Sequence, residues 1–235
     1  MSQNKCAAVL LGPPGSGKTT LAESLGARPC VFVIEVGNLL EKEVQRGTPL
    51  GQQIKPFKAA GKLVPPELLE RLICGALAKV RGRFVLFDGF PRAVAQIEML
   101  FQLLEDQHLG LCAVFVLTAD SQTAITRLNG RRICPNCGAV YNIRTKPPKQ
   151  TGVCDRCGWG LIQREDDRME VVRERFKIYE GETVPVIEFF KGQFGHLTWE
   201  ESGTLSSDEL EDRVWRRLEQ ANPCVPHNTA NRQSQ

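Results

Sequence analysis

The chain has almost no surplus of either charge. Thirty Lys and Arg stand against 27 Asp and Glu, a formal net charge of +3. That is too small to hold a polyanion by bulk attraction, so any basic surface has to be local. Nor does any apolar run approach the roughly 18 residues that span a membrane. The opening, MSQNKCAAVLLGPPG, passes from a short polar lead into a brief apolar run. A secretory leader needs a longer apolar region and a small-residue cleavage site. No segment repeats another. The expectation is a cytoplasmic protein with no nucleic-acid or membrane partner. What remains is ordinary for a globular chain: 42% hydrophobic and 24% charged residues. At 235 residues it can bury one substantial core and carry small inserts.

Short apolar runs alternate with helical patterns. CAAVLL (6–11), the β-branched run 31–34, FVLF (84–87) and LCAVFVL (111–117) read as buried strands, with a last one at 196–199. Helical spacing follows the first strand (LAESLGA) and runs from Leu39 with a break at Thr48-Pro49. It recurs over 67–80, 96–107 and 121–128. A long helix is expected from Asp166, ended or kinked near Pro185. A final helix covers 208–219, capped by Ser206 or Ser207. Continuous apolar strands alternating with helices predict an α/β fold with a parallel sheet covered on both faces. The tail from Ala221 has no periodicity and is expected to be disordered.

Between the first strand and first helix stands Gly12-Pro13-Pro14-Gly15-Ser16-Gly17-Lys18-Thr19. It fits G-x-x-x-x-G-K-[ST] in full and in the required context. Glycines let backbone N–H groups turn inward around an anion, and the helix N-terminus adds partial positive charge. Lys18 is placed to bridge the outer phosphates of a nucleoside triphosphate. A hydroxyl of Thr19 or Thr20 can serve Mg²⁺. The motif alone does not say which reaction follows.

Residues 131 to 163 change character, becoming rich in Cys, Gly, Pro and Lys. Such an insert cannot hold itself together by hydrophobic burial. Four of the nine cysteines form two C-x-x-C-G knuckles, Cys134/Cys137 and Cys154/Cys157. Four thiolates at this spacing select Zn²⁺ in a closed, structural site. Two redox pairs, unligated thiols, or a nucleic-acid-binding ribbon using Arg131, Arg132, Arg144, Lys146 and Lys149, are the other readings. Cys6, Cys30, Cys74 and Cys112 lie in apolar surroundings and are expected to be buried thiols, with Cys224 apart from them.

Together these pieces resemble the adenylate kinase family, in its zinc-bearing long-lid bacterial form. The resemblance rests on the phosphate loop, on AGKLVPPE (60–67), and on DGFPR (88–92) with Gln96 four residues on. RLNGRR (127–132), the cysteine insert and REDDRMEVVRERF (164–176) complete it. It implies a P-loop NTPase three-layer sandwich with a five-stranded parallel sheet, a helical acceptor-binding flap and a small zinc-binding lid. The core would be 1–34, 67–130 and 168–220, the flap 35–66, the lid 131–167 and the tail 221–235. The implied activity is phosphoryl transfer from Mg-ATP to AMP, giving two ADP, in a monomer. Gly15, Ser16, Gly17, Lys18, Thr19 and Thr20 would hold the ATP phosphates, with Arg127 and Arg131 clamping and Val140 and Tyr141 covering the nucleotide. Val36, Lys62, Leu63, Val64, Gly89, Phe90, Pro91 and Gln96 would line the AMP site. Arg92, Arg164 and Arg175 would gather at the transfer point, joining Lys18 and Arg131 in catalysis. Asp88, Asp166 and Asp167 resemble positions serving metal-bound water and lid closure. Guanidinium forks suit this task independently, because phosphoryl transfer needs alignment and positive charge more than covalent help.

The resemblance breaks at one place. The family's flap opens on a motif like S-T-G-D-x-x-R, where this chain has Glu35-Val36-Gly37-Asn38-Leu39-Leu40-Glu41. Glu41 replaces the arginine expected to grip the acceptor phosphate. A carboxylate about 4 Å from a phosphate charge costs roughly 4 kcal/mol at an effective dielectric near 20. Either AMP binding is weakened, or Glu35 and Glu41 turn outward and Lys42, Lys55 or Lys58 supplies the grip. A kinase for another acceptor and a nucleotide sensor without turnover are the alternatives.

Overall fold

Strand β1 (Cys6–Leu11) is buried along its whole length, which is why it reads as a continuous apolar run. It lies at the centre of a parallel sheet of order β2-β3-β1-β4-β7, with β2 at Val31–Glu35, β3 at Phe84–Asp88, β4 at Gly110–Thr118 and β7 at Thr198–Ser202. The chain is seen in a computed structural model that describes residues 5–80 and 82–221. The tail from 222 onward, with Cys224, lies outside the described residues.

Alternate residues of β1 feed two cores. Ala7, Val9 and Leu11 join Ile73, Leu100 and Phe190. These come from α4 (Pro66–Leu77), α5 (Ala95–Asp106) and α8 (Val184–Gln193). Cys6, Ala8 and Leu10 join Leu21 and Leu25 of α1 (Lys18–Gly26), and Leu210, Val214 and Leu218 of α9 (Ser207–Gln220). The result is a three-layer α/β sandwich around a five-stranded parallel sheet. Ser206 and Glu209 form a capping box on α9, so the expected cap is the first of the two serines.

Three segments depart from the sequence reading. The last strand begins at Thr198, because Gly195–Leu197 forms a short 3₁₀ turn. The long helix from Asp166 is broken at its start: Glu165–Asp167 is a 3₁₀ turn, Arg168 is extended, and α7 (Met169–Ile178) follows. The interruption expected at Pro185 falls just before it, as a π turn over Tyr179–Thr183 that leads into α8. Proline lacks the N–H of a regular turn, and the wider turn accommodates the loss. Two thiols are also corrected. Cys6 and Cys112 are buried, but Cys30 is half-buried and Cys74 is exposed. Cys74 sits on the outer side of α4, whose buried stripe is Leu69, Ile73 and Leu77.

Helices α2 (Val36–Gln45) and α3 (Pro49–Ala59) pack on each other beyond the end of β2. Thr48 caps α3 by accepting from the Gly51 N–H at 2.9 Å. After α6 (Ser121–Gly130), the antiparallel pair β5 (Arg131–Ile133) and β6 (Val140–Asn142) carries the cysteine insert. Among the described residues no helix is long and apolar enough to cross a membrane.

Candidate active site

The carboxyl ends of β1, β2 and β3 open into one cavity of about 520 Å³, where α/β sheets ordinarily hold ligands. Its floor is the phosphate loop. Gly15 and Gly17 have φ of +81° and +100°, conformations that glycine adopts without steric cost. A Cβ on Gly15 would lie 2.5 Å from the Ala124 carbonyl oxygen. Lys18 Nζ donates to the carbonyls of Gly12 and Pro13, each at 2.8 Å. Burial lowers its pKa to about 7, against the pull of Asp88, with Arg92, Arg175 and Arg131 lowering it further. A bound anion would favour the charged form of Lys18. Thr19 Oγ1 donates to Asp88 Oδ2 at 2.7 Å, which sets a hydroxyl and a buried carboxylate side by side as hard oxygen donors for Mg²⁺.

Opposite the loop stand the arginines. Arg164 grips Asp166 with two bonds of 2.8 Å. Arg131 binds Asp167 through Nε at 2.8 Å and through Nη2. Arg175 donates to the Asp166 carbonyl at 3.0 Å. Burial would raise the pKa of Asp166, but Arg164, Arg175, Arg131 and Lys58 outweigh it and hold the carboxyl well below its usual range. Burial lowers Arg175 to about 10, partly opposed by Asp166. Arg92 is turned by its own backbone: its Nε donates to Gly89 O, and its N–H to Gln96 Oε1, both at 2.8 Å. Four guanidinium groups and Lys18 thus face one space, with two aspartates to satisfy them.

Every residue expected from the sequence to hold ATP or AMP borders this cavity, from Gly15–Thr20 through Lys62–Val64 to Arg175. Tyr141 does so with its hydroxyl committed elsewhere. It accepts from the Asp155 N–H at 2.8 Å and lies 3.5 Å from Cys154 Sγ. Asp167 is fully buried behind Arg131. Two contributors had no signal in the sequence. Glu23 of α1 lies within electrostatic reach of Asp88 and Glu35. Gly203 packs so tightly that a Cβ would lie 2.4 Å from the Ser16 carbonyl oxygen. Gly138 and Asn38 both border the cavity, and a Cβ on Gly138 would lie 3.4 Å from the Asn38 amide, so the insert approaches α2 there.

Both acids at the start of the flap border the cavity; the outward orientation weighed from the sequence is not adopted. Glu35 ends β2 in register with Asp88. Burial, then Asp88 and Glu23, push its carboxyl up to about 7, against Lys42 and Arg164. Glu41 forms an ion pair with Lys58 at 2.8 Å, with side chains 27% and 16% exposed. Gln45 donates to its other oxygen at 3.1 Å.

In the insert, the Sγ atoms of Cys134, Cys137, Cys154 and Cys157 lie within 4.8 Å of one another. Cys134 and Cys157 are 3.4 Å apart, and Cys137 and Cys154 3.6 Å. A tetrahedral site with Zn–S near 2.3 Å has sulfur separations of about 3.8 Å. The four thiols fit that ion.

A family model described as adenylate kinase matches residues 10–194. The chain is 37% identical over 211 residues to an adenylate kinase of Thermococcus kodakarensis, covering 90% of this chain and 91% of that protein. It is 39% identical over 210 residues to one from Pyrococcus furiosus, covering 89% and 92%. Against an adenylate kinase of Kosmotoga olearia it is 37% identical over 212 residues, covering 90% and 98%.

Proposed function

Because the chain belongs to the adenylate kinase family and is a nucleoside monophosphate kinase, we propose that it carries the γ-phosphoryl group of ATP to AMP with a raised AMP requirement. The observation that carries this reading is the cavity itself. A complete phosphate loop faces Arg92, Arg131, Arg164 and Arg175 across one space, with Gln96 buried beside it.

An oxygen of the AMP phosphate attacks the γ-phosphorus. The bond from that phosphorus to the β–γ bridging oxygen breaks, and the electron pair leaves with the ADP so formed; the second ADP is the former AMP. The charge that spreads over the moving group is met by Lys18 and the arginines, fixed before the reaction. Lys18 exchanges its Gly12 and Pro13 carbonyls for phosphate oxygens. Thr19 and Asp88 would hold Mg²⁺, which would supply neutralisation of the phosphate charge. Water is the competing acceptor, and the approach of Gly138 to Asn38 at the cavity supports closure as the means of excluding it. Gln96 supports adenine as the acceptor base. Glu41, facing the cavity, supports the raised AMP requirement. Zn²⁺ on the four cysteines is assigned a structural role, since it leaves no open position for substrate.

The test is a coupled assay of ADP formation from Mg-ATP with each nucleoside monophosphate. AMP should be the preferred acceptor, saturating only at high concentration. ATP binding without turnover on any monophosphate would make the chain a sensor instead.

A further inference from the structure

The flap has lost the arginine that the family resemblance led us to expect, yet it has not lost its cation. We infer that Lys58 is the flap's ligand for the acceptor phosphate, and that Glu41 is an internal stand-in for that phosphate which AMP displaces. The inference rests on the reading of AMP as acceptor and names how that same site grips it.

Segment 35–66 has four lysines. Lys42, Lys55 and Lys62 are exposed, and Lys55 does not border the cavity. Lys58 borders it with a side chain only 16% exposed. It stands in the last turn of α3, and α3 packs on the Glu165–Asp167 turn. That packing brings Lys58 within electrostatic reach of Arg164 and Asp166, where the acceptor and donor phosphates have to meet. A lone buried ammonium among arginines is costly, and Glu41 at 2.8 Å offsets part of that cost. Glu41 is itself within reach of Arg164. Its carboxylate therefore occupies the same cationic corner that a phosphate needs. Burial, then Arg164, lower the Lys58 pKa against the opposing pull of Glu41 and Asp166.

A phosphate dianion carries more charge than one carboxylate and takes Lys58 from it. Glu41, on a flexible side chain, swings away by rotation about its χ bonds as AMP enters. The raised AMP requirement then comes from competition with a tethered anion rather than from an absent grip. The two accounts make opposite demands on Glu41 and Lys58 together.

The experiment compares wild type, Glu41→Gln, Lys58→Gln and the double variant. AMP affinity is read by calorimetry and AMP KM by the coupled assay, with thermal melts to verify folding. Glu41→Gln is expected to lower the AMP KM and dissociation constant. Lys58→Gln is expected to raise them by about tenfold or more, the worth of a charge-assisted hydrogen bond, while the ATP KM changes less than twofold. The deciding comparison is Lys58→Gln within the Glu41→Gln background. A further loss of about tenfold supports the grip; no loss means that Lys58 only neutralised Glu41, and overturns it. Lys58→Arg should retain wild-type affinity. A wild type that binds AMP without forming ADP overturns the proposed reaction, and the calorimetric series still decides Lys58.

Discussion

At the scale of single residues, the acids opening the flap carry the chain's individuality. Glu35 is the clearer titrating group. Its ordinary pKa is 4.5, and burial together with Asp88 and Glu23 raises it to about 7. Between those values the folded chain keeps a proton that the unfolded chain has released. The contribution to stability is complete below pH 4.5 and is lost as pH rises through about 7. Ionised Glu35 therefore weakens the fold above neutrality, by at most about 3 kcal/mol. Glu35→Gln should melt higher than wild type at pH 8 and show a flatter melting profile between pH 5 and 8. Parallel profiles for the two proteins would rule out this role. The sequence located both acids beside a phosphate site but could not orient them. A helix places Glu41 on the side facing α3, and only the pairing of α2 with α3 makes Lys58 its partner.

At the scale of elements, legibility followed burial. β1, β3 and β4 are buried on both faces and read as unbroken apolar runs. Edge strand β7 is only partly buried, and its pattern gave a start two residues early. The cysteine insert is the opposite case: it has scarcely any core, and its four-cysteine cluster was legible because cysteine spacing, not hydrophobicity, organises it. Its buried cluster is Cys134, Ala139, Tyr141 and Cys154. An insert with so little apolar burial is expected to depend on the proposed zinc. Removing the metal with a chelator should lower the melting temperature, and Cys154→Ser should do the same without chelator. Both effects should exceed any change in the ATP KM of protein that remains folded. A melting temperature unmoved after metal analysis shows complete removal would refute a structural zinc.

At the scale of the molecule, the segment after β2 shares a core with β1 through Val36, Ile54 and Val64, whereas the turn facing it at the base of the insert is held by charge. Arg131 at the base of the insert holds Asp167, and Arg175 of α7 reaches the same aspartate at 3.4 Å. The α3 helix abuts that turn from the flap side. The motifs made each half legible, but not the approach of Gly138 to Asn38, which brings together residues from two inserts far apart in sequence. A ligand reaching both halves engages this whole arrangement at once. A bisubstrate analogue linking adenosine groups through a polyphosphate should therefore raise the melting temperature more than saturating ATP does. Stabilisation grows with the logarithm of ligand over dissociation constant, about 2.7 kcal/mol at a hundredfold excess. For a chain of this size each kcal/mol corresponds to roughly 2–4 °C. The increment over ATP measures what the acceptor half contributes. It should grow in Glu41→Gln, where the internal carboxylate no longer competes, and shrink in Lys58→Gln. An analogue that stabilises no better than ATP in all three proteins would mean that the acceptor half does not bind an adenosine phosphate.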